Sequence, residues 1–255
     1  MNLHFREAGS GQPLLILHGL FGSCDNWATL AKQLSAHYHV FIIDQRNHGQ
    51  SPHSSDWNYT VMAHDIEEFC QQHQLENIFI AGHSMGGKTV MKLAELFPQR
   101  INKMMIVDIA PRYYPTHHQK IIAALKSLNF DVIQSRKQAD DMLNQSIDDF
   151  GTRQFLLKNI YWTEQQKLAW RFNLEVIADN IEIVGEATPA DASKICEIPS
   201  AFVRGTLSDY ITGADVEQIQ RLYPNATLID IADAGHWVHA DQPAALLTSM
   251  LDFFI

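Results

Sequence analysis

The sequence holds only three cysteines in 255 residues, Cys24, Cys70 and Cys196, with no Cys-x-x-Cys spacing. Neither a zinc site nor a disulfide framework is therefore expected, and a reducing compartment fits. Positive charge is also scarce: 19 Lys and Arg stand against 29 Asp and Glu, for a net charge of -10. Nucleic acid and anionic membrane both demand a basic face, so neither is expected as the main partner. No apolar run approaches the roughly 20 residues that span a bilayer, and Met1 to Gly11 carries charge and glycine where a secretory signal needs apolar residues. Repeats and low-complexity tracts are missing. Histidine is plentiful at 13 residues, yet His-Glu-x-x-His does not occur and His117 and His118 are merely adjacent, so no metal or other cofactor is expected. These absences lead to the expectation of a cytoplasmic, soluble globular protein.

Apolar strand segments alternate with helical ones up to Pro111. Leu14 to Leu17, Val40 to Ile43, Ile78 to Ala81 and Met104 to Val107 read as strands. Trp27, Leu30, Ala31 and Leu34 share one helix face, and Met62, Ile66 and Phe69 another. This alternation predicts a parallel sheet. Residues 116–184 then show helical spacing with little strand signal, as in Ile121, Leu125 and Leu128, or Ala139, Met142, Leu143 and Ile147. Ser135 with Gln138, and Thr163 with Gln166, have the form of capping boxes at helix starts. Strands resume at Ala201 to Arg204 and Thr227 to Ile231, before a last helix at Pro243 to Phe253. The expected architecture is a mostly parallel, doubly wound α/β sheet (residues 1–111 and 186–255) interrupted by a helical cap (112–185) over the carboxyl ends of its strands.

Gly82-His83-Ser84-Met85-Gly86 lies where the strand ending near Ala81 gives way to a helix with Val90, Leu93, Ala94 and Phe97 on one face. A serine at so tight a strand-to-helix turn has the form of a nucleophile elbow. A serine hydroxyl near neutral pH needs a base to take its proton and a third group to orient that base. His236, in Asp233-Ala234-Gly235-His236-Trp237 directly after the last strand, follows the serine in the required chain order; His239 reads as a packing or surface residue. Two carboxylates qualify as the orienting acid, Asp108 and Asp209, since each follows a strand. The frequent spacing of glycine followed three residues later by aspartate is filled here by Gly205 and Ser208, with Asp209 one residue too far on, and one residue of extended chain reverses the side-chain direction. This favours Asp108, with Ser208 as an added hydrogen-bond partner, and leaves Asp209 as the alternative.

Developing negative charge on an attacked carbonyl oxygen needs fixed donors. The amide of Met85 and that of Leu20, in His18-Gly19-Leu20-Phe21-Gly22 after the strand at Leu14 to Leu17, are the candidates. Asp44, Arg46 and His48 read as a structural hydrogen-bond network rather than as catalytic groups. Phe21, Tyr113, Trp162, Trp170 and Trp237 are candidates to line an acyl pocket.

Taken together, His18-Gly19-Leu20-Phe21-Gly22-Ser23, Arg46-Asn47-His48-Gly49, Gly82-His83-Ser84-Met85-Gly86-Gly87-Lys88, Asp108-Ile109-Ala110-Pro111, Trp170-Arg171-Phe172-Asn173 and Gly235-His236-Trp237-Val238-His239 resemble the α/β-hydrolase superfamily and are similar to its bacterial YbfF-type esterases. The resemblance spans nearly the whole chain. It implies hydrolysis of short acyl esters, with acyl-coenzyme A thioesters as a second substrate class, by nucleophile Ser84, base His236 and acid Asp108, without a cofactor. It leaves a carbon-carbon bond hydrolase and a slow ligand sensor of the same fold as rivals, and it offers Arg171 as a group to meet an anionic substrate.

Overall fold

The computed structural model describes residues 1–189, 191 and 193–255. Its strands are β1 (Phe5–Ala8), β2 (Pro13–Leu17), β3 (His39–Ile43), β4 (Ile78–His83), β5 (Ile101–Val107), β6 (Ile160–Trp162), β7 (Leu168–Trp170), β8 (Ser200–Gly205) and β9 (Ala226–Ile231). Its α-helices are α1 (Ala28–Leu34), α2 (Tyr59–Gln72), α3 (Met85–Leu96), α4 (Gln119–Lys126), α5 (Arg136–Leu143), α6 (Phe150–Leu157), α7 (Leu174–Asp179), α8 (Val216–Leu222), α9 (Val238–Asp241) and α10 (Pro243–Phe254). Among the described residues seven strands form one sheet in the order β1-β3-β2-β4-β5-β8-β9. Only β1 runs antiparallel to its neighbour.

The central strands are continuous apolar runs because both faces of the sheet are covered. Leu15, Leu17, Ile80 and Ile106 pack on one side with Ile66 and Phe69 of α2 and Val90 and Leu93 of α3. Leu14, Ile16, Ala81 and Val107 pack on the other with Leu30 and Leu34 of α1 and Leu246 and Met250 of α10. The alternation of neighbouring residues between the two clusters is the period of two of a strand. Burying such aliphatic side chains contributes roughly 1.5–3 kcal/mol each relative to exposure, so these clusters hold the sheet rigid. The chain reverses its direction of travel across the sheet at β2, which has β3 on one side and β4 on the other. The carboxyl ends of β2 and β4 thus flank a topological switch point, the place where open α/β sheets bind ligands.

Between β5 and β8 the chain leaves the sheet and forms α4 to α7 above those ends. Phe21, Trp57, Tyr59 and Met85 of the sheet side pack there with Leu125, Leu156 and Phe172. This region departs from the sequence reading at one point. Thr163 and Gln166 do not open a helix but close a hairpin: Gln166 N donates to the Thr163 carbonyl at 2.9 Å, Thr163 N donates to that of Lys167 at 2.8 Å, and β6 pairs antiparallel with β7. Gln166 takes the left-handed conformation (φ 57°) that such a turn needs. At the other candidate box, the Ser135 side chain caps α5 by accepting from Gln138 N at 3.2 Å, whereas the Gln138 side chain reaches back to Gln134 N at 2.7 Å instead of to the cap residue's own amide. No helix among the described residues is long and apolar enough to cross a membrane.

Candidate active site

Ser84 alone separates β4 from α3, with φ 52° and ψ -116°. A non-glycine residue at positive φ is strained and persists only where its surroundings enforce it. Here the enforcement is close contact: a Cβ at Gly82 would collide with the Gly86 carbonyl, and one at Gly86 would lie 2.5 Å from the Leu17 carbonyl oxygen. Ser84 N donates to the Val107 carbonyl at 3.0 Å, and the Ser84 carbonyl accepts from Lys88 N at 3.1 Å. The serine is thus fixed to the neighbouring strand and to its own helix.

His236 arrives on the loop after β9. Its Nε2 lies 3.0 Å from Ser84 Oγ and its Nδ1 2.8 Å from Asp108 Oδ2. Asp108 is fully buried at the end of β5, again at positive φ (51°). Its carboxylate accepts from Gly205 N at 3.1 Å on Oδ1, and from the Ser208 hydroxyl as well as His236 on Oδ2. A buried carboxylate needs such donors to offset lost hydration. With Nδ1–H committed to Asp108, His236 turns an unprotonated Nε2 toward the serine. The Tyr210 ring lies parallel to the imidazole, 3.8 Å between centroids, and His83 Nε2 donates to the His236 carbonyl at 2.8 Å. Burial holds the His83 pKa well below the ordinary histidine value, so His83 stays neutral beside His236. Asp209, the alternative acid, is exposed, and its carboxylate makes no hydrogen bond among the described residues.

Leu20 and Met85 both border the cavity that contains Ser84. Their amides have no hydrogen-bond acceptor among the described residues. His18 holds the Leu20 loop: its Nδ1 donates to the Gly19 carbonyl at 2.8 Å, and its Nε2 accepts from Gln45 N at 3.0 Å. Asp44, Arg46 and His48 form the expected scaffold below it. Asp44 accepts from Cys24 N at 2.6 Å and Gln50 N at 2.9 Å; Arg46 binds Asp65 through two nitrogens, at 2.5 and 2.8 Å. His4, Cys24 and Asp44 offer possible metal-donor atoms within 4.8 Å of one another. Burial pushes the Cys24 thiol pKa up, and the Cys24 Sγ–H donates to the Ile42 carbonyl at 3.2 Å.

The cavity measures ≈ 270 Å³. Its apolar wall is Ile109, Ile121, Phe155 and Val184, joined by Phe21 and Trp237. Arg171 is not there: it directly follows β7, and its guanidinium lies over the Tyr161 ring of the paired strand β6, 4.7 Å from the centroid. Tyr113 and Trp162 are exposed, and Trp170 stacks on Phe172 at 4.9 Å. Sequence reasoning missed His117, His118, Tyr114 and Tyr210, which all line the cavity. No local pattern marks them, since the contacts that bring them there span long stretches of chain. Burial lowers the pKa of His118 to about 4, and that of His239, which stacks on Trp27 at 4.7 Å, also to about 4. Both imidazoles are neutral at pH 7.

Residues 12–243 match the alpha/beta hydrolase fold family. Esterase YbfF of Escherichia coli (strain K12) is 37% identical over 244 residues, covering 94% of this chain and 92% of that protein. The sn-1-specific diacylglycerol lipase ABHD11 of Danio rerio is 37% identical over 259 residues, 98% of this chain and 80% of that one. A solved structure described as a marine microorganism esterase superposes with a TM-score of 0.95 at 43% identity, covering 98% of each chain. A strained serine between β4 and α3, on a sheet of this order and with this breadth of match, leaves one conclusion: the chain belongs to the alpha/beta hydrolase family.

Proposed function

We propose that this protein is a serine carboxylesterase acting on short acyl esters, with residues 112–185 as the cap over its site. The observation that carries this reading is the unbroken series of hydrogen-bonding contacts from Ser84 through His236 to Asp108, set at the wall of a largely apolar cavity. His236 takes the Ser84 proton as Oγ attacks the acyl carbon, and Asp108 stabilises the imidazolium that forms. The oxygen of the tetrahedral intermediate takes hydrogen bonds from the amides of Leu20 and Met85. His236 then protonates the departing alcohol or thiol. Water, deprotonated by the same imidazole, releases the acid and restores Ser84.

Substrate size follows from space. Ligand pockets usually measure about 300–1,000 Å³, and a cavity of ≈ 270 Å³ lies just below that range. A short acyl chain against Ile121, Phe155 and Val184 suits it. A thioester presents the same carbonyl and a better leaving group, so short acyl-coenzyme A thioesters form the second substrate class, with the bulky nucleotide left outside.

The test pairs a fluorophosphonate probe with turnover of p-nitrophenyl acetate and butyrate. The wild type should label and turn over, and Ser84→Ala should do neither. Activity surviving Ser84→Ala would reject the acyl-enzyme, and labelling without turnover would point to a sensing role. A series of acyl-coenzyme A chain lengths then tests the thioester class.

A further inference from the structure

Lys88 lies one helical turn beyond Ser84 on α3 and is completely buried, a costly place for an amine unless its hydrogens are used. They are. Nζ donates to the carbonyl of Arg112 at 2.6 Å and to that of Glu186 at 2.7 Å, and sits 5.2 Å from the centroid of the Tyr114 ring. Arg112 belongs to the segment that leaves the sheet after β5, and Glu186 to the segment that returns toward it. These two segments are also joined directly, Tyr114 N to the Gly185 carbonyl at 2.8 Å and Thr188 N to the Pro111 carbonyl at 2.9 Å. Just beyond these bonds they become cavity wall: Tyr114, His117 and His118 on one side, Val184 and Gly185 on the other. The Tyr114 hydroxyl in turn donates to the carbonyl of Tyr210, whose ring covers His236.

We propose that Lys88 is a positioning residue that clamps both hinges of the inserted region to the nucleophile's own helix, and so fixes the distance between Ser84 and the acyl-binding wall. This rests on the esterase reading for its consequence, though not for its geometry. Burial, with the Arg112 charge adding to it and Glu186 opposing, lowers the lysine pKa to about 7. An amine and an ammonium both keep two N–H groups for two carbonyls, so the clamp holds in either state. A methionine of similar length fills the space but leaves both carbonyls without a donor.

The experiment compares wild type with Lys88→Met by hydrogen exchange and by kcat and KM on a p-nitrophenyl ester series from acetate to octanoate. Exchange at the Tyr114 and Thr188 amides should quicken by about tenfold or more while amides within β4 and α3 keep their protection. The ratio of kcat/KM for butyrate to that for octanoate should fall by about tenfold, through KM, with kcat for acetate held within about threefold. Gly185→Ala is the second variant, because its methyl group would collide with the Tyr114 carbonyl and wedge the same segments apart with the lysine in place. It should quicken exchange at the same hinge amides, and it carries the test if Lys88→Met does not fold. Unchanged hinge exchange in either folded variant, or an equal loss on every ester in Lys88→Met, overturns the proposal. Hinge exchange is read without substrate, whereas the esterase reading stands or falls on Ser84→Ala.

Discussion

Asparagine at position 108 keeps the shape of aspartate and exchanges one acceptor oxygen for an NH2 group, and the surrounding donors decide which one. If the amide nitrogen took the place of Oδ1 it would face Gly205 N–H, a backbone donor that cannot turn away. In the place of Oδ2 it faces the Ser208 hydroxyl, which rotates to accept, and His236 Nδ1, which accepts by moving its proton to Nε2. The second arrangement is therefore favoured. It points an N–H at Ser84 Oγ, so the imidazole can no longer take the serine proton. A wrong tautomer of this kind lowers kcat by about 10⁴-fold, or about 5 kcal/mol of barrier. Asp209→Asn should alter kcat by less than about twofold, since exposed groups away from the reacting atoms have little effect. Both variants are measured on p-nitrophenyl butyrate, with thermal unfolding as the check on folding. A collapse in Asp209→Asn with Asp108→Asn nearly intact would refute the assignment and the tautomer argument together.

Ser208→Ala removes one of the donors on the Asp108 carboxylate and leaves Gly205 N and His236 in place. It should lower kcat by about tenfold, near 1.4 kcal/mol, and full activity would remove Ser208 from the orienting group. Arg171→Ala should leave KM for acetate and butyrate esters within about twofold, because its guanidinium lies over Tyr161 and not in the cavity wall, so no substrate contact is removed; a large rise in KM would return Arg171 to the site. Acid should destabilise the fold steeply. Burial lowers the pKa of His18, His48, His83, His118 and His239. Their neutral forms favour the folded state in full above the unfolded pKa near 6.5. As pH falls from there toward the folded values, about 4 for His118 and His239 and about 3 for His48, the unfolded chain gains protons that the folded one refuses. The loss is up to about 1.4 kcal/mol per pH unit for each imidazole, and a urea midpoint unchanged between pH 7 and 5 would contradict it.

The parts of this molecule that the sequence makes legible are those whose determinants are local. The strand at Ile78 announces itself by a continuous apolar run, the helix at Met85 by apolar period, and the turn between them by small residues that the close approach of Leu17 and Gly86 requires. The preference for Asp108 over Asp209 likewise rests on neighbouring residues, the offset between Ser208 and Asp209. β1 escapes notice because Phe5–Ala8 is an edge strand with one half-buried residue followed by three exposed ones, so it has no alternation to read. The hairpin of β6 and β7 escapes because Thr163 and Gln166 have the spacing of a cap, and only the pairing of Ile160 with Trp170 and the left-handed Gln166 settle the matter. The wall formed by His117, His118 and Tyr210 depends on contacts such as that between Tyr114 and Tyr210, 96 residues apart. No window of sequence contains both ends of such a contact.

The choice of base shows why residue type is too coarse a guide. His18, His83 and His236 all border the cavity at the serine, and by composition any of them qualifies. His18 gives one nitrogen to the Gly19 carbonyl and the other to the Gln45 amide, so neither is left for proton transfer. His83 commits Nε2 to the His236 carbonyl, and its burial opposes any charge. His236 alone of these has a carboxylate on one nitrogen and a hydroxyl on the other. A base must gain a positive charge during the reaction, and only an imidazole whose far nitrogen rests on an anion does so cheaply in a largely apolar cavity. Removing that anion, by asparagine at position 108, should therefore silence His236 without promoting either neighbour, because both nitrogens of His18 already bond the backbone and burial keeps His83 from taking a charge.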